Sequence, residues 1–388
     1  SVLLSIVLAV ALSAVGPALA QSKEPVKIGL SAAVSGGSAA SGEAIKRGLQ
    51  IAIDEINAKG GVLGGRKLEL VIRDDEGNPQ KGVIIARELV EREKVAAVFG
   101  GLHTTVALAQ VPVWQELKTP YMGAWAAGTN ITRNGQTPNY VFRVSANDDY
   151  VDRFLSRYAI EVLKKGKPGL LLENTPWGQS NEAGLTKWFG EKGIKAVGVE
   201  RFNWNDPDMS PQLLRLKSAG ADHIVLVANA PEGAQVLRSK AKLGWDTAMI
   251  SHWGISGGRF AELTGDLSEG VTFLQTYTFS GKQNERGQYV LKMLREKHGV
   301  KEPGDVIAPV GTANAYDGLH LVALALDQSG STEGSKVRDA LENLKGEYKG
   351  LIKTYKRPFT PEQHDALTDE DYVMVVWKGG KIVPVTMK

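Results

Sequence analysis

The 388-residue chain contains no cysteine. No disulfide can staple it, so its stability must come from an apolar core, for which a chain of this length has ample material. Nor is there a cysteine for lipid attachment. A basic tract is also missing: the net charge of +3 is mild and Lys and Arg are interspersed with Asp and Glu, which argues against a nucleic-acid partner. The six histidines form no HxH or HExxH spacing and no cluster with carboxylates, so neither a metal nor a cofactor is expected. Only one long apolar run occurs, Ser1 to Ala20, and nothing comparable follows it. It is uncharged, broken by Gly16-Pro17, and ends in Ala18-Leu19-Ala20 before a polar stretch, which is the pattern of a signal peptide entered partway along. A soluble, exported, periplasmic protein is the expectation.

What remains is a strand–helix alternation. Val26, Ile28 and Leu30 alternate as a strand, and the small-residue run Val34 to Gly42 reads as a loop. Ile45, Leu49, Ala52, Ile53 and Ile56 then recur at helical spacing, and Asn57 to Gly61 supplies the stop. The same alternation runs on to Val144, then restarts from Asp148 as a second series, and a hairpin closes the chain at Tyr372 to Val385. This predicts an α/β protein with two doubly wound, mostly parallel sheets.

Three patterns bear on chemistry. Gly37 to Gly42 has the glycine spacing of a phosphate loop, but Glu43-Ala44 stands where Lys-Ser/Thr is needed. Gly254-Ile255-Ser256-Gly257-Gly258 fits a nucleophile elbow, which makes a serine hydrolase a reading to test. Its partners would be Asp317 with His320 or His364, and the first two share one helical turn, a poor relay. Trp125, Trp177, Trp204 and Trp253 fall at strand ends, in what reads as loops, where several aromatics together suggest a wall around a small molecule. His103 and His252 sit at strand ends too.

In order along the chain, Ile28 to Pro79, VFGGLHTTVALA, AAGTNITRNG with YVFRVS, ENTPWGQS and LKSAGADHIVLVANAPEGA resemble the type I periplasmic solute-binding proteins of ABC transporters, the branched-chain amino-acid-binding family. The resemblance spans the chain beyond the leader. It implies two lobes joined by three hinge crossovers, residues 24–143 with 273–350 and residues 144–272 with 351–388, closing on a ligand. It also implies a membrane permease as partner, and a monomer. Thr104 would hold a ligand carboxylate with its hydroxyl and amide, and Ala127 and Thr129 would assist, with His103 and Trp125 beside them. Asp148 matches an acidic residue that receives an α-amine, and Trp177 matches a covering aromatic. The departures are informative. Trp253 stands where the family carries a second acidic residue, a glutamate; Ala230, next to Asn229, replaces an aromatic, and so does Ser41 in the opening loop. A buried ammonium without its carboxylate is strongly disfavoured. The expected ligand is therefore a small carboxylate with a hydrophobic, aromatic body; the alternative is an aliphatic amino acid held by Asp148 alone. A sensor that reports to a separate signalling protein is a third reading.

Overall fold

The computed structural model describes residues 23–385, so the leader Ser1 to Ala20 lies outside the described residues. Among the described residues no helix is long and apolar enough to cross a membrane.

The first series comprises β1 (Val26–Ala32), α1 (Ala39–Ala58), β2 (Leu68–Asp74), α2 (Pro79–Arg87), β3 (Ala97–Gly100), α3 (Thr104–Glu116), β4 (Tyr121–Gly123), the single turn α4 (Thr129–Thr132) and β5 (Val141–Arg143). The second comprises α5 (Asp148–Glu161), β6 (Pro168–Glu173), α6 (Pro176–Gly190), β7 (Gly198–Phe202), α7 (Ser210–Ser218), β8 (His223–Val227), α8 (Ala230–Lys242), β9 (Ala248–Ser251), α9 (Phe260–Thr264) and β10 (Thr272–Gln275). Then come α10 (Glu285–His298), α11 (Pro309–Ser329), α12 (Gly334–Glu342), the short pair β11 (Glu347–Lys349) and β12 (Thr354–Lys356), and the hairpin β13 (Val373–Lys378) and β14 (Lys381–Pro384).

The first sheet has the order β2-β1-β3-β4-β5, all parallel. The second repeats that order as β7-β6-β8-β9-β10 and adds β13 and β14 antiparallel at its edge. Each sheet therefore reverses its winding beside its first strand, at β1/β3 and at β6/β8, and such switch points open a crevice at the carboxyl ends of the strands. The segments that follow β1, β3, β4, β6, β8 and β9 carry the candidate ligand-site residues except Asp148, which starts α5 beyond β5, and Trp204, which follows β7.

The chain crosses between the two halves three times. The breaks expected at 272/273 and 350/351 need correcting. Thr272 begins β10, which stays in the second sheet through Gln275, so the second crossing follows Gln275. β12 pairs back onto β11, and Tyr355 donates to Asp317 of α11 at 2.7 Å, which keeps residues 351–356 with the first half.

Helix α1 packs its buried face, Ile45, Leu49, Ala52, Ile53 and Ile56, into the core and lies close against α11. Gly48 makes this possible: a Cβ there would sit 2.2 Å from the Thr312 carbonyl. The opening loop is shorter than its small residues suggest. After one 3-10 turn at Gly36–Ser38, α1 already begins at Ala39. At Gly42 a Cβ would lie 2.1 Å from the Ala33 carbonyl, so the small residues serve a tight strand-to-helix return.

Candidate functional site

The loops between the sheets are anchored at the hinge by one buried ion pair. Arg143, at the end of β5, and Asp365 are both fully buried, with Nε to Oδ1 at 2.6 Å. Arg143 Nη1 donates to the carbonyls of Ala126 (3.0 Å) and Gly128 (2.9 Å), and Nη2 to the Thr132 hydroxyl (3.0 Å). Asp365 Oδ2 accepts from Thr132 (2.9 Å) and Asn147 Nδ2 (2.8 Å). Low dielectric strengthens each of these bonds, and the ion pair persists because its donors and acceptors are matched. The result is a fixed loop at Ala126–Thr129.

On that loop the Ala127 carbonyl accepts from Asp148 N at 2.8 Å. Thr104 opens α3, and its hydroxyl accepts from Gly128 N at 3.2 Å. The side chain of the N-cap residue, His103, makes no capping bond, which leaves the positive end of α3 available to an anion. The Thr129 amide donates to Ser180 Oγ of α6 at 3.1 Å, a contact across the cleft. Thr104 and Thr129 line a cavity of about 490 Å³ between α3, α4 and α6, rimmed by Arg133, Lys187 and Asp149. Both cations contact Asp149, at 2.9 and 3.0 Å. The rim keeps one net positive charge, favourable for an approaching carboxylate.

The aromatic residues meet on the inner side. Trp125 from the first half and Trp253 from the second are fully buried, with ring centroids 5.5 Å apart. Trp125 Nε1 has no partner. Trp177 is buried in the first turn of α6, and Trp253 lies in the 3-10 turn Trp253–Gly257 rather than in open loops, a correction for both. Asp148, also fully buried, begins α5; its Oδ1 accepts from His252 Nε2 at 2.8 Å and from Trp177 Nε1 at 3.3 Å, and its Oδ2 has no partner. Ser41 lies inside α1, not in a loop, and its hydroxyl is spent on the Ser38 carbonyl at 2.6 Å. Ala230 is the first residue of α8, and Asn229 Nδ2 donates to Glu173 Oε2 at 3.3 Å. His103 meets Trp204 edge-on across the cleft at 5.7 Å, and burial presses its pKa down to about 4. Gly37 faces Pro231 so closely that a Cβ would sit 2.8 Å from it. Together with the Thr129–Ser180 and Trp125–Trp253 contacts, this means the two halves are closed upon one another.

Sequence reasoning marked one further participant without its partner and missed another. Its position at a strand end marks His252, but its pairing with Asp148 spans 104 residues. Glu173 ends the buried strand β6; burial pushes its carboxyl up to about 7 against the hydrogen bonds of Trp204 and Thr175. A lone charge after Leu170-Leu171-Leu172 was the available signal.

The hydrolase constellation does not assemble. Ser256 is fully buried, donates to the Trp253 carbonyl (2.8 Å) and accepts from Gln275 (3.1 Å). Asp317 accepts from the amides of Leu351 and Ile352 beside α11, and His364 pairs with Glu342.

A two-lobed α/β protein with a cleft between two sheets of matching strand order is the class that this architecture defines. Residues 25–381 match the sequence profile described as periplasmic binding protein, and the chain belongs to that family. It is 27% identical over 356 residues to the Leu/Ile/Val-binding protein homolog 2 of Brucella abortus, covering 92% of this chain and 91% of that one. Among solved structures it is similar to a branched-chain amino acid transporter substrate binding protein from Streptococcus pneumoniae in complex with isoleucine, with a TM-score of 0.78, 23% identity, and 92% and 97% of the two chains covered. It is equally similar in fold to a solute binding protein of an ABC transporter from R. palustris in complex with 4-hydroxybenzoate, with a TM-score of 0.78, 21% identity, and 94% and 96% covered.

Proposed function

We propose that this protein is the periplasmic substrate-binding component of an ABC importer. It captures a small carboxylate with an aromatic body by hinge closure and, as a monomer, hands it to a membrane permease. Ser1 to Ala20 would direct its export. The carboxylate end is suited to the uncapped start of α3, with Thr104 and Thr129 and the Arg133/Lys187 rim. The body is suited to the surfaces of Trp125, Trp177 and Trp253.

The observation that carries this reading is the buried pair Trp125–Trp253. An indole replaces the carboxylate that an ammonium would need, and it lies against a second indole from the opposite lobe. The R. palustris relative with 4-hydroxybenzoate supports an aromatic acid. A second reading, an aliphatic amino acid, is favoured by one specific atom, the unpartnered Asp148 Oδ2, and by the isoleucine-bound relative.

Isothermal calorimetry with 4-hydroxybenzoate and with leucine separates them. Saturable binding of the benzoate and none of leucine is expected; tight leucine binding with no benzoate binding would contradict the proposal. At 100 times its dissociation constant the true ligand adds roughly 2.7 kcal/mol of stability, so a shift in the melting curve distinguishes the two ligands as well.

A further inference from the structure

His252 is fully buried at the carboxyl end of β9. Its Nδ1 lies 2.8 Å from the Trp253 amide, and an amide can only donate. Nδ1 therefore holds the lone pair and Nε2 holds the proton, which fixes the tautomer. That Nε2–H points at Asp148 Oδ1, 2.8 Å away, where Trp177 Nε1 also donates. The His252 ring is packed edge-on against Trp177 at 5.0 Å and tilted against Trp253 at 5.9 Å. Asp148 also donates its own amide to Ala127. Asp148 thus joins the hinge-side loop, through its amide, to α6 and the end of β9, through its carboxylate on Trp177 and His252.

The charge around it is spare. Asp152, one turn further along α5, is fully buried with both oxygens unpartnered, and burial followed by Asp148 and Asp149 holds its carboxyl well above the ordinary range. A carboxylate already bonded by two N–H groups is a weaker magnet for an incoming ammonium than a bare one.

From this geometry we infer that His252 is the specificity-determining residue of the cleft: by donating to Asp148 it makes that carboxylate a brace for Trp177 and Trp253 instead of a counter-ion, and so sets the site against ligands that carry an α-ammonium group. The inference rests on the aromatic-acid reading above and deepens it. The role is one of positioning; the side chain acts through Asp148 and the two indoles.

The test uses the full protein and two probes that differ only in the α-amino group, 3-phenylpropanoate and phenylalanine, titrated calorimetrically. The wild type should bind 3-phenylpropanoate at least about tenfold tighter. His252→Asn keeps an acceptor for the Trp253 amide but withdraws the donor from Asp148. It should narrow that ratio by about tenfold, chiefly by gaining affinity for phenylalanine. His252→Gln, whose amide reaches the Nε2 position, should restore the wild-type ratio. Asp148→Asn covers the case of a misfolded His252→Asn: if Asp148 is no counter-ion, removing its charge should not weaken phenylalanine selectively, and the ratio of the two affinities should stay within about threefold of wild type. A wild type that prefers 3-phenylpropanoate while His252→Asn leaves the ratio unchanged, or His252→Gln shifts it as much, overturns the role of His252 alone. A ratio that widens in Asp148→Asn, through a selective loss of phenylalanine affinity, does the same. A wild type that prefers phenylalanine overturns the aromatic-acid reading together with this one.

Discussion

Two buried polar clusters flank the cleft within a few residues of each other, one around Arg143 and Asp365, the other around Asp148, Asp152 and Glu173. In the first, every charged group has donors or acceptors on all sides, down to the Ala126 and Gly128 carbonyls that the guanidinium holds. In the second, Asp148 Oδ2 and both oxygens of Asp152 are unpartnered, and Glu173 holds its proton up to about pH 7. Depth of burial is the same in both; completeness of pairing is not. The hinge cluster fixes loops and contributes structure. The wall cluster leaves polar capacity open, as sites that must recognise something do at the cost of stability.

The largest effect should come from breaking the complete cluster. Arg143→Met strands Asp365 and two carbonyls in the interior, and urea denaturation should register a loss of about 3–5 kcal/mol. On the wall the sign is reversed. The folded-state pKa of Glu173 lies above its unfolded value of 4.5, so the folded protein holds the proton more tightly. Its stability contribution is whole below about pH 4.5 and is lost as pH rises through about 7, on the order of 3 kcal/mol in all. Glu173→Gln should flatten that decline and be the more stable protein above about pH 7, as melting curves across the window would reveal. The smallest effect belongs to Ser256, whose hydroxyl is already paired. Ser256→Ala removes its bonds to Trp253 and Gln275 and should cost about 1 kcal/mol in denaturation while leaving ligand affinity unaltered.

The alternation of β1, α1 and their successors was legible because period-2 and period-3.6 patterns are local. The matching sheet orders were not, since nothing in β6 or β8 announces its neighbour. Helix starts slip where polar or small residues lead in: α5 begins at Asp148 because the Asn147 side chain accepts from Asp149 N, and α6 begins at Pro176, the proline-tolerant first turn. Hence Trp177 reads as a loop residue when it is helical. Ser41 misleads for a similar reason, because the small residues there pack against Ala33 rather than stay open. Thr104, Thr129 and the tryptophans stand out because hydroxyls and large aromatics at strand ends are conspicuous. The His252–Asp148 bond was out of reach, being a tertiary contact between residues that carry no shared pattern.

Whether the cleft takes an aromatic acid is decided by mass spectrometry of whatever the protein carries after purification and gentle denaturation. An aromatic carboxylate without an α-amino group is the predicted result. Leucine, isoleucine or valine at stoichiometric occupancy would contradict it.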